Sequence, residues 1–187
     1  MKHAVCVIAS VLTLSACNKG PSVELHNATG NQVAKAVTQS GVINSDTMIE
    51  PGLWRSKVNV LEMNIPGLPP EYAAKMKQNM AEQRNATNSH CVRPEDVKKP
   101  KEDFFGGDKS CLYDHFTMGG GKIDVEMTCK EQGSTMASKA SGSYTPTSYS
   151  MDVSMTGSGG GREAGMSMKM HVDANRVGEC TGKDSDG

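Results

Sequence analysis

The chain has 187 residues, with 20 Lys and Arg against 21 Asp and Glu, a net charge of −1 and a mean hydropathy of −0.47. So even a balance leaves no electrostatic footprint for nucleic acid, and the length suits one domain rather than two. Aromatic residues at 4% make a lean core, which cross-links would help to hold.

The amino terminus has a basic start at Lys2 and His3, an apolar run from Ala4 to Leu14, and small residues at Ser15 and Ala16. That is the layout of a secretory signal over residues 1–16, too short to span a bilayer. Leu14-Ser15-Ala16-Cys17 resembles the lipobox of bacterial lipoproteins. The resemblance implies lipidation of Cys17, and Asn18 in place of Asp implies sorting to the outer membrane. The mature chain is then expected in the cell envelope, facing the periplasm and held to the membrane by its acyl chains.

Residues 17–50 are polar, with Gly20, Pro21, Gly30 and Gly41 scattered through them. They read as a flexible tether, with a short helix over Gln32 to Thr38. A β-rich domain is expected over 51–180, followed by a disordered tail over 181–187. The domain opens with a strand from Leu53 to Ile65. Trp54, Val58 and Val60 share one face, and the apolar parity then switches to Leu61, Met63 and Ile65, which calls for a bulge near 60 and 61. Glu71 to Arg84 carries Tyr72, Met76 and Met80 four apart, the stripe of an amphipathic helix.

Two hairpins follow. Cys111 to Met118 and Lys122 to Cys129 flank Gly119-Gly120-Gly121, and centring the turn on Gly120 sets Cys111 opposite Cys129. Opposed residues of that kind lie within disulfide reach. The same register also sets Asp114 against Glu126, a like-charge pair. A one-residue slip relieves it and pairs Phe116 with Ile123 or Val125. In the second hairpin Tyr149, Met151, Val153 and Met155 alternate inward, then Met166, Met168, Met170 and Val172. Pairing Met155 with Met166 gathers every apolar residue on one face, and it sets Asp152 against Lys169 and Ser150 against His171. The fold expected is therefore mainly β: an antiparallel meander forming a small open or closed barrel with one amphipathic helix.

Once Cys6 leaves with the signal and Cys17 carries lipid, Cys91, Cys111, Cys129 and Cys180 remain. An even number in an exported chain argues for two disulfides. The hairpin register pairs Cys111 with Cys129, and elimination pairs Cys91 with Cys180. No C-x-x-C occurs among them, so neither a structural zinc site nor a redox motif is indicated.

No constellation for catalysis, cofactor or metal stands out. Gly157-Ser158-Gly159-Gly160-Gly161 joins two antiparallel strands instead of opening a helix, so it reads as a turn and not a phosphate loop. No G-x-S-x-G elbow occurs, and a hydrolase would need His and carboxylate groups to converge. The methionines are the one unusual feature. Met151, Met155, Met166, Met168 and Met170 are the candidate ligand-binding residues, forming either a solid core or the wall of a cavity for an apolar small molecule or a protein partner. The alternative is Cu(I) or Ag(I) buffering, since thioether sulfur suits soft cations. Against it, alternate residues of a strand lie about 6.6 Å apart, and His171 belongs to the opposite face.

The chain resembles the bacterial family known as domain of unknown function 3617. The resemblance rests on Pro51-Gly52-Leu53-Trp54 opening the domain, on Cys91-Val92-Arg93-Pro94-Glu95-Asp96 after the helix, and on Arg176-Val177-Gly178-Glu179-Cys180 at the close. This chain has Arg55 where the family often carries Glu. The resemblance implies an exported, β-rich envelope protein without an assigned activity and leaves function open; the one-sided Met, Val and Tyr surface makes a non-enzymatic binding role the expectation.

Overall fold

The structure is a computed structural model that describes residues 20–42, 49–98, 105, 107–131, 133–160 and 164–181. The expected signal segment, Cys17 and residues 182–187 of the expected tail lie outside the described residues. Eight strands are joined in one antiparallel sheet: β1 (Ser22–Ala28), β2 (Gly52–Asn64), β3 (Asn88–Val92), β4 (Cys111–Gly119), β5 (Lys122–Glu131), β6 (Ser134–Thr145), β7 (Ser148–Gly159) and β8 (Ser167–Gly178). Their order is β1-β4-β5-β6-β7-β8-β2-β3, so a meander from β4 to β8 is extended by β2 and β3 at one edge and by β1 at the other. The sheet is open, yet it curls. Trp54 on β2 and Ile123 on β5 line one cavity although they stand four strands apart, a separation of about 19 Å in a flat sheet.

Among the described residues three helices accompany the sheet: α1 (Gly30–Ser40), α2 (Pro70–Thr87) and the short α3 (Pro94–Lys98). Residues 22–40 are thus a strand and a helix: the short helix expected over Gln32 to Thr38 lies within α1, whereas the flexible tether expected around it is ordered. Thr29 caps α1 by accepting from Gln32 N–H, Gln32 Oε1 accepts in return from Thr29 N–H at 2.8 Å, and Gly41 ends the helix at φ 72°. Burial explains why the segment is ordered. Val33 and Val37 of α1 are fully covered and join Val23, Ala28 and Val42 against Tyr113, Phe116 and Val125.

On β2 the register slips between Val60 and Glu62, the bulge expected from the parity switch. β3 pairs only with residues 52–56, which leaves the rest of that edge open. Helix α2 packs along β2, and Lys77 Nζ donates to Leu61 O at 2.8 Å, so part of the open edge is capped. The helix buries little of its stripe: Tyr72 and Met76 are exposed, and the Met80 side chain lies outside the description.

The first hairpin uses both of its expected registers. Met118 faces Ile123 and Phe116 faces Val125, whereas beyond a bulge at Asp114 Tyr113 faces Met127 and Cys111 faces Cys129. The bulge takes Asp114 out of line with Glu126, and Thr128 Oγ1 donates to Asp114 Oδ2 at 2.6 Å. Gly120 and Gly121 supply the two positive φ values, 57° and 72°, that a two-residue turn matched to strand twist requires.

The second hairpin corrects the expected register by two residues. Met155 faces Met168, Val153 faces Met170, Met151 faces Val172 and Tyr149 faces Ala174. A slip of two preserves which face each side chain takes, so the apolar face survives it. The charge pairing changes, however: Asp152 meets His171, and Lys169 instead reaches Glu62 at 2.9 Å on β2.

Candidate functional site

The curl of the sheet turns the inner faces of β2 and β3 toward those of β4 and β5. Trp54 opens β2 fully buried, donates from Nε1 to Glu50 O at 2.9 Å, and stacks on Tyr149 with ring centroids 5.9 Å apart. His90 on β3 lies opposite Trp54. Across from this group stand Phe105, Met118, Ile123 and Val125, which also pack on the core beneath α1.

Between the two groups lies a cavity of about 300 Å³, at the lower end of the range for small-molecule sites. Tyr144, Tyr149 and Met151 complete its wall from the β6–β7 hairpin. No Asp, Glu, Lys or Arg among the described residues lines it. Burial lowers the pKa of His90, which favours the neutral imidazole, and burial raises the phenols of Tyr144 and Tyr149, which stay protonated. Tyr144 Oη is buried, and its hydrogen finds no acceptor among the described residues. As its described residues build it, the cavity is an apolar compartment with neutral polar groups at its margin.

The candidate methionines divide. Met151 lines the cavity, whereas Met170 is covered on the inner face at 9% exposure. Met155, Met166 and Met168 are half-buried and away from the cavity. Met168 faces Met155 on one side and Met63 on the other, so three thioethers stand in a row across β7, β8 and β2. Cross-strand neighbours have Cβ atoms about 4.5–5.5 Å apart, closer than alternate residues of one strand. Sequence reading did not single out Met118, His90, Tyr144 or Phe105. The inward parity of Met118 was the one available signal, since Ile123 and Val125 share its face.

The outer face is polar. Ser150 Oγ lies 3.2 Å from His171 Nε2, and His171 Nδ1 lies 2.6 Å from Asp152 Oδ1, distances that suit a nucleophile, a base and an orienting acid. Asp173 Oδ1 lies 3.3 Å from the same Nε2. The hydrogen bond to Asp152 raises the pKa of His171 above its ordinary value, as does the charge of Asp173. Both carboxylates therefore favour an imidazolium, which has no site to take the proton of Ser150. Strand β7 is also paired on both sides, so its ladder consumes the backbone N–H groups that would stabilise an oxyanion. Among the described residues, no group of three or more His, Cys, Asp and Glu is arranged to hold a metal ion.

The three sequence motifs meet at the end of the sheet beside the cavity. Leu53 lies between Cys91 and Gly178 in the ladder, Cys91 is bonded to Cys180, and Cys111 is bonded to Cys129. Arg176 binds Glu179 and donates from Nε to Pro51 O at 2.8 Å, tying the first residues of the domain to the last. Gly52 has φ 146°, and a Cβ there would sit 2.5 Å from Gly178 O and 2.6 Å from Arg176 Nε. Both strain and collision oppose any side chain, so Gly52→Ala is expected to cost at least about 2 kcal/mol. Urea unfolding checks this, and a loss under about 0.5 kcal/mol would show that the clasp yields freely.

Fold and site define a small antiparallel β protein with an apolar cavity that no charged group lines among the described residues, beside an end held by a disulfide and an arginine clasp. The chain belongs to the family described as "Protein of unknown function (DUF3617)", which matches residues 49–180. No curated protein matches the chain, and no solved structure does.

Proposed function

We propose that the chain is an envelope lipoprotein, anchored through Cys17 and facing the periplasm from the outer membrane, that works as a non-enzymatic binding module for an apolar small molecule. The observation that carries this reading is the cavity of about 300 Å³ between the Trp54–Tyr149 stack and the Met118–Ile123 wall, with no charged lining residue among those described. Such walls favour uncharged ligands, because a buried ion would lack a partner. Met118 and Met151 are flexible enough to repack around varied shapes.

Titration with N-phenyl-1-naphthylamine tests the reading. Saturable one-to-one uptake is expected with a Kd on the order of micromolar, about −8 kcal/mol. Ala140→Leu, which adds carbon atoms to the wall, should weaken it at least about tenfold, the equivalent of 1.4 kcal/mol. Absent or non-saturable uptake would remove the proposal.

A second reading, buffering of Cu(I) or Ag(I), is favoured by one observation: the row of Met63, Met168 and Met155. Silver uptake by competition titration should then fall at least about tenfold when all three become leucine. Unchanged uptake rules those residues out as its ligands.

A further inference from the structure

We infer that the occupant of the cavity is a hydrocarbon chain of a membrane lipid, entering from the bilayer to which the protein is anchored; this rests on the proposed function and on lipidation of Cys17. The inference comes from where the chain enters the fold. Strand β1 begins at Ser22, opposite Gly119, and Pro21 O lies 3.0 Å from the position a Cβ of Gly119 would take. Entry is therefore beside the Gly119–Gly121 turn.

The cavity lies at that same end. Met118 and Ile123 flank the turn and both line the cavity. Tyr144, another wall residue, donates its backbone N–H to Gly121 O at 2.9 Å. Four residues separate Cys17 from Ser22, and chain geometry limits the five Cα steps between them to about 18 Å. Strand β6, with 12 residues, runs about 40 Å. The sheet is thus about twice as long as the tether, and an anchor at Cys17 holds the cavity end, not the far end, toward the bilayer.

The walls fit such an occupant. Among the described residues they offer hydrocarbon, thioether and aromatic surface and no charge to meet a headgroup, so the headgroup stays outside while the chain enters. A cavity of about 300 Å³ admits part of one acyl chain, not the several chains of a lipoprotein anchor at once. Bilayer lipids outnumber the protein's own acyl chains, so the occupant inferred is a chain of the surrounding bilayer.

The test uses the acylated full-length protein in phosphatidylcholine vesicles with bromine on mid-chain carbons. Trp54 is the only tryptophan, so its fluorescence reports from the cavity wall alone. Bromine quenches at short range, and a buried tryptophan in a water-facing domain is otherwise out of its reach. At least a twofold loss of emission is expected relative to unbrominated vesicles, and Ala140→Leu should abolish it while flotation with the vesicles persists. If that variant loses the wild-type melting transition, Met151→Phe takes its place. Undiminished emission overturns the inference, including the case in which the protein's own unbrominated acyl chain fills the cavity. If emission is undiminished but N-phenyl-1-naphthylamine still binds saturably, only the inference fails; if neither occurs, the proposed function fails with it.

Discussion

A chain lacking residues 18–42 is expected to lose its cooperative unfolding transition, although the family match begins only at residue 49. Of the eight buried residues in the main core cluster, Val23, Ala28, Val33, Val37 and Val42 precede the matched segment. Burying each valine contributes about 1.5–3 kcal/mol, so four of them contribute roughly 6–12 kcal/mol. A domain of this size is stable by only about 5–15 kcal/mol in all. Their loss also uncovers Tyr113 and Phe116, now 1% and 0% exposed, and frees the edge of β4. Thermal unfolding followed by circular dichroism checks this. A truncated chain melting cooperatively within about 5 °C of the full chain would show that α1 and β1 are decoration.

The reason this segment reads as a tether is instructive. Its signals are present: Thr29 and Gln32 are spaced as a capping box, Gly41 stands where a helix stops, and Val23 and Leu25 alternate. Each is short, and Asn27, at φ 51°, breaks the strand period after two steps. Composition outweighs such signals when a segment is polar on average, yet a helix needs only one apolar side, here Val33, Ala34 and Val37.

Strand faces were far more legible than strand registers. In the β7–β8 hairpin the inward set of tyrosine, valine and methionines is fixed by period-two alternation, which any even slip satisfies. Charge complementarity did not choose between slips, because Asp152 finds a cationic partner in either Lys169 or His171. In the β4–β5 hairpin a like-charge conflict between Asp114 and Glu126 was visible, and the fold relieves it with a local bulge that keeps Cys111 against Cys129. The slip and the disulfide register looked like alternatives only because a regular ladder was assumed.

That the inward face borders a cavity was one of two readings of the sequence, and the outline of that cavity was not legible. Alternation shows which face a methionine takes, not what covers it: Met151 and Met170 obey the same pattern, but Met151 lines the cavity and Met170 borders a separate groove with Leu61 and Val153. The wall draws on Ile49, Trp54, His90, Phe105, Ile123 and Tyr144, far apart in sequence and joined only by the curl of the sheet.

Trp54→Ala is expected to be the most destabilising single substitution at the cavity, costing about 3–5 kcal/mol. The ring is fully buried, stacks on Tyr149, and its Nε1–H satisfies Glu50 O. Trp54→Phe keeps an aromatic face but leaves that carbonyl without its donor, so a smaller loss of about 1–3 kcal/mol is expected. Because the tryptophan is both core and wall, removing it should enlarge the cavity as well as weaken the fold. An uncharged ligand binding only the folded state stabilises it by about 2.7 kcal/mol at one hundred times its Kd. Hydrocarbon near saturation should therefore restore a larger part of the melting temperature to Trp54→Ala than it adds to the wild type. Calorimetric melting with and without that ligand decides the matter. Equal shifts in the two proteins would mean that the space left by the ring collapses, and that Trp54 holds the core without shaping the cavity.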